Sequence, residues 1–213
     1  AAGCDASLRR LGVDRIDVYF AHCDDPDTPQ EDTLEAFGKL IDAGKIGAIA
    51  ASNFTVDRLQ SARALAAKHG LPQFDIVQPG YNLISRDEYE GALQDFCVAN
   101  HIGVVPHSGL ASGFLTGKYQ SLADAETRAR GARLASLFDA RGLAVLAALK
   151  CISNETGASP AQISLAWLAA KPAVVGPIAS ATSVAQLEEL MQSVELALDG
   201  EHIALLDAAG RDA

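Results

Sequence analysis

Short runs of β-branched and aromatic residues recur about every 28–30 residues along this chain, each followed by a capped stretch with helical spacing of its apolar positions. That period is the length of a strand plus a crossover helix, so the strands it predicts are parallel. The runs cover residues 16–22, 46–51, 74–78, 102–105 and 173–178. Five units of this kind predict an α/β fold, either a doubly wound sheet or a barrel. Read as a (β/α)8 TIM barrel, the chain supplies the fourth to the eighth strands and is incomplete at its N-terminal side. About three units, on the order of 90–100 residues, would be lacking. Residues 1–213 are then expected to form a single barrel domain without those units.

Local signals set the element boundaries. Residues 5–12 read as the end of a helix with Leu8 and Leu11 on one face and Gly12 as its cap. Thr28-Pro29-Gln30-Glu31 reads as a capping box ahead of Leu34, Phe37, Leu40 and Ile41, closed by Gly44. Thr55 caps a helix that stops at Gly70, and Ser85-Arg86-Asp87-Glu88 opens one that runs past Phe96 to Asn100. The period lapses after residue 109, where residues 113–119 lead into a polar, arginine-bearing excursion over 123–133. Leu143, Leu146, Leu149 and Ile152, three apart, predict a helix. Ser159-Pro160-Ala161-Gln162 opens a helix containing a core Trp167, Ser183 to Gln186 caps another, and a last helix spans 201–209.

Composition narrows the function. A net charge of -10 argues against nucleic acid and anionic membrane as partners, because both need clustered Lys and Arg. No apolar run approaches the roughly 18 residues of a membrane helix. The four cysteines, Cys4, Cys23, Cys97 and Cys151, are widely spaced, which points to a reducing, cytoplasmic setting. The first residue is Ala1 rather than Met, so a targeting segment is left open.

Parallel α/β folds place their chemistry at the carboxyl ends of the strands. His22 ends the first strand and is a candidate there, with a hydrogen-bonded structural histidine as the alternative. Ser52, Asn53 and Gln78 end the next two and offer the donors and acceptors that an amide-bearing ring such as nicotinamide requires, although Asn53 also suits a turn. Residues 108–113 and 180–183 are rich in small side chains that let backbone N–H groups approach a phosphate, or that serve simply as turns and caps.

Several motifs then occur in unbroken order. Ser7-Leu8-Arg9-Arg10-Leu11-Gly12 precedes Ile16-Asp17-Val18-Tyr19 and His22, followed by Ala43-Gly44-Lys45-Ile46, Ser52-Asn53-Phe54, and Gln78 with Tyr81-Asn82-Leu83. Leu115-Thr116-Gly117-Lys118-Tyr119 and Ala181-Thr182-Ser183 with Gln186 complete the series. Over essentially its whole length the sequence resembles the aldo-keto reductase superfamily. The resemblance implies a (β/α)8 barrel binding NADP(H) across its carboxyl face, with hydride passing between nicotinamide and an aldehyde, ketone or alcohol. It places His22 as the histidine that orients the carbonyl oxygen, and Ser52, Asn53 and Gln78 on the carboxamide. It places Ser108, Leu110, Ser112 and Lys118 on the pyrophosphate and Ser180, Thr182, Gln186 and Glu189 at the adenosine end, with Arg130 or Arg133 toward a 2′-phosphate. His107 stands where the family usually stacks an aromatic ring on the nicotinamide, Gly109 where proline is common, Ser180 in place of a frequent glycine, and Leu190 in place of an asparagine. The family's catalytic tyrosine, lysine and aspartate sit in its first strands, and none of Tyr19, Tyr81, Tyr89 or Tyr119 lies in the matching motif.

Two rival readings remain. One is a non-catalytic, nicotinamide-binding regulatory subunit. The other is a metal-assisted hydrolase built on His22, Asp24, Asp25 and His107. For an intact barrel a monomer is expected.

Overall fold

In the computed structural model, which describes residues 1–119, 121 and 134–211, the chain forms two compact units. The first comprises residues 1–79 and 91–104, the second residues 80–90 and 105–213.

The first unit alternates α1 (Ala2–Leu11), β1 (Ile16–Ala21), α2 (Gln30–Asp42), β2 (Ile46–Ser52), α3 (Val56–His69), β3 (Phe74–Gln78), α4 (Ala92–Ala99) and β4 (Gly103–Val104). All pairings are parallel, in the order β1-β2-β3-β4, with β1 and β4 at the edges among the described residues. Crossover helices cover the sheet, so Ile46, Ile49 and Val77 pack with Leu34, Phe37 and Leu40 of α2 and Leu59 and Ala62 of α3 as a buried core. Phe37 meets Phe74 edge-on at 6.3 Å, and Phe74 meets Phe54 at 5.4 Å. Gly12 and Gly70 end α1 and α3 in the left-handed conformation, as their positions predict.

The second unit carries a 3-10 segment Ala111–Thr116, α5 (Ala140–Thr156), α6 (Pro160–Ala169), α7 (Val184–Met191) and α8 (Gly200–Arg211). Helix α6 is buried at every position from Ala161 to Leu168, which is why its apolar residues show no single face. Its capping box forms as expected, Ser159 and Gln162 satisfying each other's backbone N–H groups. Trp167 is fully buried and donates to Asp207 of α8.

Several local expectations change. Residues 173–178 form no strand beyond a single bridge at Val174: Ala173 has a positive φ of 63° and Pro177 has no N–H. Ile178 still donates to Pro106 O at 2.9 Å. The helix expected from Ser85 begins instead at Ala92, because the Asn82 side chain accepts from Ile84 and Ser85 and holds a turn, and Gly91 breaks the path at φ 93°. At α2 the N-cap is Pro29, since Thr28 turns its hydroxyl to Asp25 rather than to the helix. In α5 the buried stripe is Val145, Ala148, Leu149 and Ile152, with Leu143 exposed, and in α1 Leu11 is exposed while Cys4 faces inward.

Candidate active site

The register of the first unit brings its strand ends level. Ala21 pairs with Ala51 and Ser52 with Gln78, so His22, Ser52 and Gln78 emerge side by side. Asn53 follows in the left-handed conformation, φ 58°, which asparagine tolerates better than most residues. Its Nδ2 donates to His22 O at 2.8 Å and to Ser52 Oγ at 3.1 Å, and the Ser52 hydroxyl passes its own proton to Gln78 O at 3.0 Å. This relay ties three strand ends together and decides which groups stay available. Asn53 Oδ1 accepts nothing and Gln78 Nε2 donates to nothing among the described residues, while Gln78 Oε1 lies 3.4 Å from Ser52 Oγ. What remains is one amide acceptor and one amide donor, the complement of a primary carboxamide. Ser52 is buried, Gln78 half-buried, and His22 exposed with its ring free to face a ligand.

The loop after β1 is fixed from behind. Asp25 accepts from the Thr28 hydroxyl at 2.7 Å and from Asp27 N at 3.1 Å, and these bonds, the hydroxyl first, hold its carboxyl below the usual range. Asp24 grips Arg58 of α3 through both oxygens, at 2.6 and 2.9 Å, which raises the guanidinium's pKa further. Gln30 donates to Arg58 O at 2.8 Å. No sequence signal announces this clamp, because Asp24 and Arg58 are 34 residues apart. Asp24 is held by Arg58 and Asp25 by Thr28, and among the described residues no three His, Cys, Asp or Glu side chains are grouped to hold an ion.

In the second unit the turn after residue 106 is built from left-handed residues. Ser108, Ala111, Ser112 and Gly113 have φ of 61°, 45°, 58° and 94°. Successive residues of this kind curl the backbone so that N–H groups converge, as in anion-binding nests. Ala111 and Gly113 donate back to Ser108 O and Leu110 O, whereas the N–H groups of Gly109 and Leu110 donate to no backbone carbonyl of the described residues. Asn82 Nδ2 holds Ser108 O at 3.1 Å, and His107 Nδ1 lies 3.0 Å from Ser108 Oγ. The Lys118 ammonium lies over the turn, so that a β-carbon on Gly113 would come within 3.1 Å of it. Gly113→Ala is therefore expected to cost about 1–2 kcal/mol for the forced φ and to push Lys118 away. A thermal melt checks the first effect and phosphate titration the second.

Ser180 and Thr182 are exposed ahead of α7. Ser183 caps that helix, and Gln186 Oε1 accepts from Thr182 N and Oγ1 at 2.8 and 2.9 Å, so its oxygen is spent locally and only its amide nitrogen is open to a ligand. The Glu189 side chain is half-buried, and its carbonyl takes the Gln162 amide. Arg130 and Arg133 lie outside the described residues. Tyr81 and Tyr89 are fully buried, the first donating to Glu90 and the second to Pro172 O. Burial and then that carboxylate push the Tyr81 phenol far above its usual pKa.

This chain is similar to several known proteins. It is 31% identical over 218 residues to L-glyceraldehyde 3-phosphate reductase of Escherichia coli K12, covering 95% of this chain and 62% of that protein. It is 33% identical over 200 residues to the "Probable voltage-gated potassium channel subunit beta" of Arabidopsis thaliana, covering 91% and 61%. A crystal structure of a thermostable aldo-keto reductase with the inhibitor epalrestat superposes with a TM-score of 0.76 at 30% identity, over 97% of this chain and 64% of that one. The chain thus spans about three-fifths of the length of the curated relatives it matches. The parallel α/β fold is of the TIM-barrel type, its sheet left open among the described residues. The model of the Aldo/keto reductase family matches residues 1–211, and the chain belongs to that family.

Proposed function

We propose that this chain is part of an NADP(H)-dependent oxidoreductase acting on a small aldehyde, ketone or alcohol. The observation that carries the reading is the unspent acceptor on Asn53 and donor on Gln78, level with His22 at the strand ends of an aldo/keto reductase chain. Bound nicotinamide supplies or takes back a hydride. Asn53 and Gln78 orient the carboxamide, and the exposed His22 imidazole donates to the carbonyl oxygen of the substrate. In the second unit Ser108, Leu110 and Ser112 bind a pyrophosphate whose charge Lys118 offsets, and His107 is the family's ring-stacking position. Ser180, Thr182, Glu189 and the Gln186 amide nitrogen meet the adenosine end. None of Tyr81, Tyr89 and Tyr119, all buried, is exposed to give a proton to substrate. The same reading makes residues 1–213 part of one barrel domain of a monomeric, cytoplasmic protein. No helix among the described residues is long and apolar enough to cross a membrane.

The test is titration of the purified protein with NADPH and with NADH, followed by nicotinamide fluorescence, and then reduction of short aldehydes. Gln78→Ala should weaken NADPH binding about tenfold, the worth of one hydrogen bond to a desolvated amide. His22→Ala should lower kcat while leaving that affinity within about twofold. Absence of NADPH binding would sink the proposal. The relatives named as potassium channel β subunits favour a second reading, a nicotinamide-binding regulatory subunit. NADPH binding without turnover supports it, and steady aldehyde reduction excludes it.

A further inference from the structure

A cavity of about 220 Å³ opens in the first unit beside the loop that joins β1 to α2, and the nicotinamide reading gives it no role. Its inner wall is apolar: Leu34 and Phe74 are buried, and Phe54 leans on Phe74 with ring centroids 5.4 Å apart. The charged and amide groups on its wall offer acceptors. Asp24 accepts one bond from Arg58 at each oxygen, and Asp25 accepts from the Thr28 hydroxyl and the Asp27 N–H, which leaves lone pairs on both carboxylates. Gln30 is nine-tenths buried and commits its Nε2 to Arg58 O, and its Oε1 accepts no hydrogen bond among the described residues. The carboxylates and the Gln30 oxygen on this wall favour a ligand that brings donors.

Charge points the same way. Arg58 neutralises Asp24, and Asp25 is left ionised with its pKa held down by the Thr28 hydroxyl and the Asp27 N–H. Residues 16–38 contain seven Asp and Glu and no Lys or Arg, so the field around the opening is negative and would repel an anion. We propose that this cavity is a second ligand site, for a small organic cation: a primary ammonium on an aromatic or short aliphatic body. The body rests between Phe54, Phe74 and Leu34. The ammonium donates to Asp25 and to Gln30 Oε1, with the ring faces adding cation–π attraction.

Benzylamine is the probe, titrated into the purified protein while the ring-proton resonances of Phe54 and Phe74 are followed by NMR. Both rings should shift saturably. Benzyl alcohol, with the same body and no charge, should bind at least about tenfold more weakly, and phenylacetate should leave both rings unmoved. Asp25→Asn keeps an acceptor for Thr28 and removes the charge, and should weaken benzylamine about tenfold without affecting benzyl alcohol. Ala62, buried on the cavity wall, becomes the filling variant Ala62→Leu, which should abolish the shifts. The proposal is overturned if benzylamine moves neither ring, if benzyl alcohol binds equally well, or if the shifts survive Ala62→Leu. None of these outcomes depends on NADPH binding, so the two proposals fail separately.

Discussion

Asn53→Ala is expected to weaken NADPH binding by about 30-fold, the equivalent of ~2 kcal/mol, and to lower the melting temperature as well. The side chain makes two internal hydrogen bonds, to His22 O at 2.8 Å and to Ser52 Oγ at 3.1 Å, each contributing roughly 0.5–1.5 kcal/mol net. Its backbone sits at φ 58°, where alanine costs about 1 kcal/mol more than asparagine or glycine. Without the Asn53 amide the His22 carbonyl is released, the Ser52 hydroxyl can rotate, and the Gln78 carboxamide loses its fixed orientation. Asn53→Gly separates the causes: it relieves the backbone cost and leaves the bonds unmade, so it should recover the melting temperature in part and the affinity hardly at all. Equal binding by wild type and Asn53→Ala in the nicotinamide fluorescence titration would mean that the relay does not organise the site.

Much of this arrangement was legible in the sequence because the βα period fixes where strands stop. His22, Ser52 and Gln78 could be named from that period alone, and the register then set them level. What the period cannot tell is which donors are already committed. That depends on pairing between residues about 26–31 positions apart, and on the irregularity between Ile49 and Ala50 that brings Ser52 opposite Gln78. The same limit hides the Asp24–Arg58 clamp and the closing of the Gln186 oxygen on Thr182.

Local misreadings share a cause too. Ser85 and Thr28 both precede helix-forming residues with the right spacing, yet each stands near a side chain that competes for the backbone or hydroxyl, Asn82 and Asp25. Ser159 has no such competitor and caps as its sequence predicts. Residues 173–178 have the composition of a strand, but Pro177 removes a ladder donor and Ala173 turns the chain.

Arg86→Ala is expected to destabilise the second unit by about 3–5 kcal/mol, the scale for removing one member of a buried charge network. Arg86 is 5% exposed. Its guanidinium donates to Leu83 O, Leu206 O and Asp207 O, lies 3.8 Å from both Glu90 and Asp207, and stacks 4.8 Å from the Trp167 ring. Helix α8 comes close enough for this because residue 210 is glycine, where a β-carbon would lie 2.2 Å from Arg86 Nη2. Burial lowers the pKa of Arg86 from its ordinary value, and the two carboxylates oppose that shift. Removing the cation would leave Glu90 with Tyr81 and the exposed Arg211, and Asp207 with Lys171 and the Trp167 indole. Burial raises the pKa of Asp207, but hydrogen bonds from Lys171 and Trp167 outweigh it, so the folded value lies below the unfolded 3.8. A depressed carboxyl contributes stability that is present above the unfolded pKa and disappears as pH falls through the folded one. Wild-type protein should therefore hold its urea midpoint down to about pH 4 as far as Asp207 is concerned, and lose this contribution below it. In Arg86→Ala the Asp207 contribution should be smaller and its loss complete at a higher pH, because one of the cations holding Asp207 ionised is gone. Arg86→Lys retains the charge without the planar fork and should fall between the two. Urea denaturation at pH 7 and again near pH 3.5 measures both effects. An Arg86→Ala midpoint equal to wild type at pH 7 would show that neither the charge nor the carbonyl bonds of Arg86 hold α8 in place.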